Sequence, residues 1–247
     1  MYRKLHRKPI VKPLKVKIFN TLKSYISPIF NQIFTMKESL FGKTLPELQN
    51  LVAELKLQKF TAKQIAGWLY KKEISSINEM TDLSKKTRES LNEKFEFGLI
   101  KPTKVQESND GTKKYLFPTA QNKFVETAMI PEYDRKTVCV SSQIGCKMGC
   151  LFCMTAKQGF QGQLSAGEIV NQVKSIAEAG EVSNIVYMGM GEPFDNINEV
   201  LKSLEIFTAD WGFAMSPRRI TVSTIGIIPG MITFLEKSEA HLAVSLH

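Results

Sequence analysis

From residue 136 onward, extended apolar segments alternate with amphipathic helical ones. The extended segments are "KTVCVSSQ", "NIVYMGMG", "RITVSTIG" and "HLAVSLH". Between them stand the helical segments "AGEIVNQVKSIAEAG", "INEVLKSLEIFTAD" and "PGMITFLEKS". Strands that alternate with helices predict right-handed βαβ units and a parallel sheet or barrel. This pattern constrains the fold more than any other feature of the sequence, and it predicts an α/β fold with about four βα units.

The carboxyl ends of these four strands carry the unusual residues. Three cysteines follow the first strand, and Gly189–Pro193 follow the second. Ser223 lies at the end of the third strand, and Ser245 and His247 lie at the end of the fourth. Ligands of parallel α/β folds bind where the carboxyl ends of the strands meet. The sequence therefore predicts one shared site at this edge.

The residues before this unit divide into two further regions. Residues 36–100 are predicted to form a small helical domain, because Thr44 and Glu47 make a capping-box pattern ahead of leucines at helical spacing. "TAKQIAGWLYKK" and "SKKTRESLNEKF" predict two more helices. Residues 101–135 are predicted to form a β-hairpin and an extended connector, with Asp110–Gly111 as the turn.

Eight of the nine net positive charges come from the first 35 residues. Residues 1–35 carry eight Lys and Arg and no acid, which leaves 25 basic against 24 acidic residues in the remainder. This basic leader could hold RNA through counterion release, or it could lie upstream of a true start at Met36. Charge alone does not establish an RNA partner.

Composition and cysteine placement indicate the compartment. No run of about twenty apolar residues is present, so no membrane-spanning helix is expected, and the N-terminus lacks the pattern of a secretory signal. A chain of 247 residues needs no disulfides to fold, and clustered cysteines in such a chain indicate metal binding or catalysis in a reducing compartment. We expect a cytoplasmic protein.

All four cysteines lie in "CVSSQIGCKMGCLFC", residues 139–153. The spacing Cys146-x3-Cys150-x2-Cys153 brings three thiols together on one short loop. Structural zinc prefers four ligands, whereas three thiolates suit an iron–sulfur cluster that binds another molecule at its remaining iron. One alternative is a zinc ion with Cys139 as its fourth ligand. The other is that the three cysteines are buried, bind no metal and have only a structural role.

A C-x3-C-x2-C loop at the start of an α/β barrel resembles the radical S-adenosylmethionine (SAM) superfamily, and "MGMGEP" resembles that superfamily's GEP motif. The resemblance implies that Cys146, Cys150 and Cys153 bind a 4Fe-4S cluster and that Phe152 packs over it. SAM would be cleaved there to a 5′-deoxyadenosyl radical. Gly189 and Gly191 would let the backbone approach the SAM amino group, and Glu192 would accept a hydrogen bond from it.

Longer strings narrow the resemblance to the RlmN/Cfr family over residues 40–247. They are "RKTVCVSSQIGC", "CLFCMTAKQGFQGQLSAGEIVNQV", "YMGMGEPFDN", "RRITVSTIG" and "LAVSLH". The resemblance implies a radical SAM enzyme that methylates carbon 2 of adenine in 23S rRNA and tRNA, with a flavodoxin-type electron donor and a helical N-terminal domain of RNA-binding type. Methylation at carbon 8, as in Cfr, is the close alternative.

The resemblance also implies roles for single residues. Glu126 matches the family's general base, although without the resemblance it reads only as a single acidic residue on a strand. Cys139 matches a cysteine that resolves the protein–RNA intermediate. Without the resemblance, Cys139 reads as a small apolar strand residue. Gly191 and Glu192 of the GEP motif are implied to bind SAM, and further SAM contacts are implied at Ser223, Ser245, Leu246 and His247.

The family's residue set is incomplete in these 247 residues. The resemblance implies a partial radical SAM barrel, with about four of six βα units, and a methyl-carrying cysteine near the C-terminus, but no cysteine follows Cys153. We therefore expect the chain alone to transfer no methyl group, because the group that attacks SAM is missing. The expected explanations are a truncated product or a partner chain that supplies the rest. A non-catalytic RNA-binding or zinc-stabilised remnant is the alternative from another functional class.

Overall fold

The structure, a computed structural model, describes residues 37–246. The predicted basic leader, residues 1–35, and the site residue His247 lie outside the described residues. Among residues 37–246, no helix is both long enough and apolar enough to cross a membrane.

Three helices dominate the N-terminal part, as the sequence predicted: α1 (Leu45–Glu54), α2 (Thr61–Tyr70) and α3 (Lys85–Lys94). The Thr44 backbone N–H donates to the Glu47 carboxylate at 2.7 Å, which caps α1. The apolar positions at helical spacing are buried, among them Leu48, Leu51, Ile65 and Leu69. A parallel pair of two-residue strands, β1 (Glu38–Ser39) and β2 (Phe95–Glu96), joins the two ends of this part. Such a short pair carries no periodic signal that sequence analysis could detect.

The centre of the fold is a seven-stranded sheet with the order β11-β10-β9-β6-β5-β4-β3. Strands β6, β9, β10 and β11 are parallel, as the alternating pattern predicted, and β3, β4 and β5 extend the sheet in antiparallel pairing. The strands are β3 (Lys104–Glu107), β4 (Lys113–Pro118), β5 (Phe124–Glu132), β6 (Arg135–Cys139), β9 (Asn184–Tyr187), β10 (Ile220–Thr224) and β11 (His241–Val244).

One face of the sheet is packed and the other is half open. The packed face buries Val138, Ile185, Tyr187, Ile220 and Val222 in one core with residues of the helices α5 (Ala166–Lys174), α6 (Ile197–Thr208) and α7 (Ile228–Lys237). The alternate residues of the same strands, including Cys139, Val186 and Ser223, are only partly buried. Parallel sheets normally have both faces covered, so this half-open face is unusual.

The cysteine-bearing segment has its own small framework. A two-residue antiparallel pair, β7 (Gln143–Ile144) and β8 (Gly162–Gln163), closes its base. The short helix α4 (Met154–Gln158) begins directly after Cys153. Ser165 caps α5 by accepting a hydrogen bond from the Glu168 backbone N–H. The segment between β7 and β8, residues 145–161, is called the cysteine loop below.

Candidate functional site

The carboxyl ends of β6, β9, β10 and β11 surround one cleft of about 250 Å³. Most of the site residues expected from the sequence line it: Cys146, Cys150, Phe152, Cys153, Gly189, Gly191, Glu192, Ser223 and Ser245. Two larger cavities of about 680 and 670 Å³ have no cysteine in their linings. The sheet topology thus brings residues separated by almost one hundred positions into one site, at the edge where the alternating pattern placed it.

The base of the cysteine loop is tightly closed. The Gln161 backbone N–H donates to the Ile144 carbonyl at 2.8 Å. Gly145 has a φ of +72°, and a Cβ at this position would lie 1.7 Å from the Gly159 carbonyl oxygen. Glycine is therefore required at this point both by the backbone conformation and by the approach of the returning chain.

The three thiols of the cysteine loop are free and close enough to influence one another. Burial raises the pKa of the Cys146 thiol, and the negative charges of Cys153, Glu192 and Cys150 raise it further, although a hydrogen bond from the Met148 backbone opposes them. An iron–sulfur cluster or a metal ion would supply the positive charge that such a site needs to hold thiolates.

The donor set fits a cluster better than a single zinc ion. Zinc draws its thiolates to about 2.3 Å from a common centre, whereas a cluster spreads them over separate irons. The cysteine loop offers three thiols, one ligand fewer than structural zinc prefers, and three thiolates suit a cluster whose remaining iron binds another molecule.

Glu192 is a buried carboxylate with several partners. Its side chain accepts hydrogen bonds from the Phe194 N–H at 3.0 Å, the Thr224 hydroxyl at 2.7 Å and the Ile225 N–H at 3.0 Å. The residue is 4% exposed and still lines the cleft. A carboxylate offers about four acceptor positions, so these bonds leave one for a ligand. The bonds to Thr224 and Ile225 also join the loop after β9 to the end of β10.

The glycines of "MGMG" have a packing role that the sequence did not reveal. A Cβ at Gly189 would lie 2.7 Å from the Val140 carbonyl oxygen, and one at Gly191 would lie 2.4 Å from the Gln143 Cβ. Gly191 also has a φ of +97°. The structure thus gives a reason for both glycines other than the expected approach to SAM: the loop after β9 packs directly on the chain that follows β6.

The two serines of the site meet across β10 and β11. The hydroxyl oxygens of Ser223 and Ser245 lie 3.2 Å apart, and the Ser245 backbone N–H donates to the Thr224 carbonyl at 2.8 Å. Leu246 is 87% exposed and does not line the cleft.

Glu126 and Cys139 lie apart from the cleft lining but on neighbouring strands. Cys139 of β6 is opposite Ala128 of β5, and Glu126 lies two residues before Ala128. Because residues alternate between the faces of a strand, Glu126 and Cys139 share the half-open face. The Glu126 carboxylate is half exposed and pairs with Lys114 of β4 at 3.2 Å. Burial raises the pKa of the Cys139 thiol.

Several polar residues that support the cleft were not predicted from the sequence. Gln143 is fully buried, and it contacts Glu192 and Asp195 through its side chain. Thr224 donates to Glu192. The signal for Gln143 was present in the sequence: the polar run Ser141–Gln143 follows an apolar strand directly, and buried polar side chains at such a position need specific partners.

Comparisons with known proteins identify two matching families. Residues 39–97 match the family described as "Ribosomal RNA large subunit methyltransferase N-terminal domain". Residues 140–247 match the radical SAM superfamily. The second match contains the cysteine loop and three of the four parallel strands, β9, β10 and β11.

Curated relatives extend these matches. A protein of Phocaeicola vulgatus named "Probable dual-specificity RNA methyltransferase RlmN" is 54% identical over 213 residues, which cover 86% of this chain and 61% of the relative. A protein of Dichelobacter nodosus named "Dual-specificity RNA methyltransferase RlmN" is 42% identical over 222 residues, again 86% of this chain and 61% of the relative. The chain therefore spans less than two thirds of the length of these relatives.

A solved structure agrees with the sequence matches. The radical SAM methyltransferase from Sphaerobacter thermophilus superposes with a TM-score of 0.78 at 38% identity, covering 85% of this chain and 64% of that protein. The superposition includes both the helical N-terminal part and the sheet with the cysteine loop, so the two occur together in a known structure. On its two domain matches, its curated relatives and this structure, the chain carries the N-terminal domain and the radical SAM domain found in the RlmN family, over the part of those longer proteins that it spans.

Proposed function

We propose that this chain holds a 4Fe-4S cluster and SAM for RNA methylation of the RlmN type. The observation that carries the proposal is the single cleft in which three thiols, Glu192 and two strand-end serines meet. Such a cluster, when bound, supplies the electron that cleaves SAM. The polypeptide supplies the thiolate ligands and the polar groups that orient SAM beside them.

Each group in the cleft has a definite task in this proposal. Cys146, Cys150 and Cys153 bind three irons. Gly191 and the remaining acceptor position of Glu192 face the amino group of SAM. Ser223 and Ser245, at the ends of β10 and β11, bind other polar atoms of SAM. Leu246 and His247 continue the chain beyond Ser245 and are proposed to complete this contact.

The half-open face of the sheet is proposed to receive the nucleotide. Glu126 acts as the general base, and Cys139 resolves the protein–RNA intermediate; the two residues share this face on adjacent strands. The proposed substrate is carbon 2 of adenine in 23S rRNA and tRNA, which is consistent with the dual-specificity names of the relatives. Methylation at carbon 8 would instead favour a Cfr-like specificity.

The remaining parts of the proposal concern partners and domains. Residues 36–100 are proposed to bind RNA, residues 101–135 to connect, and residues 136–247 to form the radical SAM unit. A flavodoxin-type protein is proposed as the electron donor, in the cytoplasm. Because no cysteine follows Cys153, methyl transfer is expected only when a further segment or partner chain supplies the methyl-carrying cysteine.

Cluster binding is the first test. We expect the chain, reconstituted anaerobically with iron and sulfide, to bind about four irons and about four acid-labile sulfides. The Cys150→Ala variant should bind no intact cluster, because one of three ligands is missing. The Cys139→Ala variant is the matched control and should bind iron as the parent does. Adding SAM should change the electron paramagnetic resonance spectrum of the reduced cluster.

Two outcomes would contradict the proposal. Binding of about one zinc ion without sulfide would support the zinc-stabilised remnant instead. Equal loss of iron in the Cys139→Ala and Cys150→Ala variants would show that the cysteine loop is not the specific ligand set.

A further inference from the structure

Asp195 lies next to the cleft lining, where three segments of the chain meet. Its carboxylate accepts a hydrogen bond from the Gln143 side-chain amide at 2.6 Å and pairs with the Lys147 ammonium at 2.8 Å. Its backbone carbonyl accepts from the Gln163 amide at 2.9 Å. Gln143 and Gln163 form the base of the cysteine loop, and Lys147 lies within it. One residue of the segment after β9 therefore contacts both ends and the interior of this loop.

Lys147 has a second contact that fixes its direction. Its ammonium lies 4.3 Å from the centre of the Phe160 ring, on the returning side of the cysteine loop. The Lys147 side chain is 46% exposed, whereas that of Asp195 is 21% exposed. Lys147 directly follows Cys146, so these two contacts anchor the chain next to the first thiol.

Gln143 carries these contacts to the GEP motif. Its side-chain oxygen accepts from the Glu192 backbone N–H at 2.8 Å, while its nitrogen donates to Asp195. The residue is fully buried, so breaking the bond to Glu192 leaves two buried polar groups short of a partner. The Gln143 nitrogen has a second acceptor, the Gln163 side-chain oxygen at 2.8 Å, which belongs to the same base of the cysteine loop. A continuous path thus runs from Lys147 through Asp195 and Gln143 to Glu192.

We propose that Lys147 and Asp195 are positioning residues that form a latch between the cysteine loop and the segment after β9. The latch fixes the distance between the three thiols and Glu192 before any cofactor binds. Neither side chain is required to touch a substrate. The proposal rests on the proposed function for what the cleft binds, but the latch itself is a property of the polypeptide.

The test uses the metal-free chain and its four cysteines as reporters. We expect Lys147→Gln and Asp195→Asn to raise the rate of iodoacetamide alkylation at Cys146, Cys150 and Cys153, measured by peptide mass spectrometry. An increase of about two- to fivefold is expected, the range that a partly exposed ion pair supports. Cys139 lies on β6 outside the loop and should keep its parent rate. Circular dichroism verifies that each variant is folded.

Comparing the two variants distinguishes loss of the latch from a change in the local charge near the thiols. Removing the Lys147 cation disfavours nearby thiolates and would slow alkylation, whereas removing the Asp195 anion favours them and would accelerate it. Loss of the latch accelerates alkylation in both. Lys157→Gln is the matched control, because it removes a lysine charge from an exposed position of the same loop. Lys147→Arg should restore the parent rate.

Several outcomes overturn the latch. Unchanged rates would show that the pair does not hold the cysteine loop in place. Rates that change in opposite directions in the two variants would show that charge alone acts. A double variant that adds a second full increase would show that the two residues act independently. If Asp195→Asn does not fold, Lys147→Gln and Lys147→Arg decide the question. Iron and sulfide content of the parent test the proposed function separately, so either idea can fail while the other stands.

Discussion

Glu192 joins two strands at the cleft through a buried carboxylate with three hydrogen bonds. In Glu192→Gln a side-chain NH2 group replaces one acceptor oxygen and then faces N–H or O–H groups that need an acceptor. We expect the free energy of unfolding to fall by about 1–3 kcal/mol, because a buried donor loses its partner. Urea denaturation measures the change. Glu236→Gln, an exposed position on α7, is the control and should change stability by less than about 0.5 kcal/mol. Equal effects in the two variants would contradict this role.

Glu178 makes folding stability dependent on pH. Burial alone would raise the pKa of Glu178, but hydrogen bonds from Lys113 and Tyr115 outweigh it, so the pKa is lowered. A lowered pKa in the folded state gives stability that is present above the unfolded pKa of about 4.3. That contribution is lost as the pH falls through the folded pKa. Glu107, 3.8 Å from the Lys113 ammonium, is the other acid in this group.

The expected result is a difference between Glu178→Gln and the parent that depends on pH. The variant should be less stable at pH 7, and the difference should shrink as the pH falls below about 4.3. Thermal unfolding at a series of pH values measures this trend. Glu107→Gln serves for comparison, because Glu107 is more exposed and lies farther from Lys113. A difference that stays constant with pH would argue against the role of Glu178.

At the scale of elements, the base of the cysteine loop depends on one close approach. Gly145 and Gly149 both have positive φ, at +72° and +70°. A Cβ at Gly145 would meet the Gly159 carbonyl, whereas one at Gly149 would meet nothing within 4 Å. We expect Gly149→Ala to cost about 1–2 kcal/mol for the backbone conformation alone. Gly145→Ala should cost at least about 1 kcal/mol more because of the clash.

Urea denaturation of the metal-free chain compares these two alanine variants directly. Equal losses of stability would mean that the cysteine loop shifts at no cost and that its base is not closed by the returning chain. Loss in Gly145→Ala alone would mean that the strain at Gly149 is relieved by movement of its exposed surroundings.

At the scale of the whole molecule, helix α7 exposes an apolar stripe. Ile228, Ile232 and Leu235 recur at helical spacing and are 67%, 53% and 64% exposed. Apolar residues grouped in this way favour association. We expect the 247-residue chain to self-associate with rising concentration, and Ile232→Lys and Leu235→Lys to reduce this, as measured by sedimentation velocity. Glu236→Lys changes the charge on the same helix without removing apolar surface. If it reduced association equally, the stripe would not be the cause.

The elements of this fold could be predicted because their signals are local. The apolar spacing in α1 and α2, the Ser165 cap and the Asp110–Gly111 turn each depend on residues a few positions apart. The position of the cleft also followed, since parallel strands place their carboxyl ends together. The two-residue pair β1–β2 could not be predicted, because its pairing joins segments that carry no repeated pattern.

The latch contacts could not be predicted for a related reason. Lys147 and Asp195 are 48 residues apart, and Gln143 and Asp195 are 52 apart. Only the register of β6 against β9 brings these segments together. In the sequence, Asp195 looks like an ordinary polar loop residue. The polar run Ser141–Gln143 marks Gln143 but does not tell which residue it contacts, because hydrogen bonds between distant segments leave no periodic pattern.

By itself the sequence determined the alternation of strands and helices, the cysteine spacing and the motif that follows β9. These features depend on local periodicity and on the residue types that a chemistry requires. Only the tertiary structure decided that Glu192 is tied to Thr224, that the glycines serve close packing, and that Glu126 pairs with Lys114. Those contacts arise when strand register and helix packing set distances between segments far apart in the chain, and no local pattern encodes such distances.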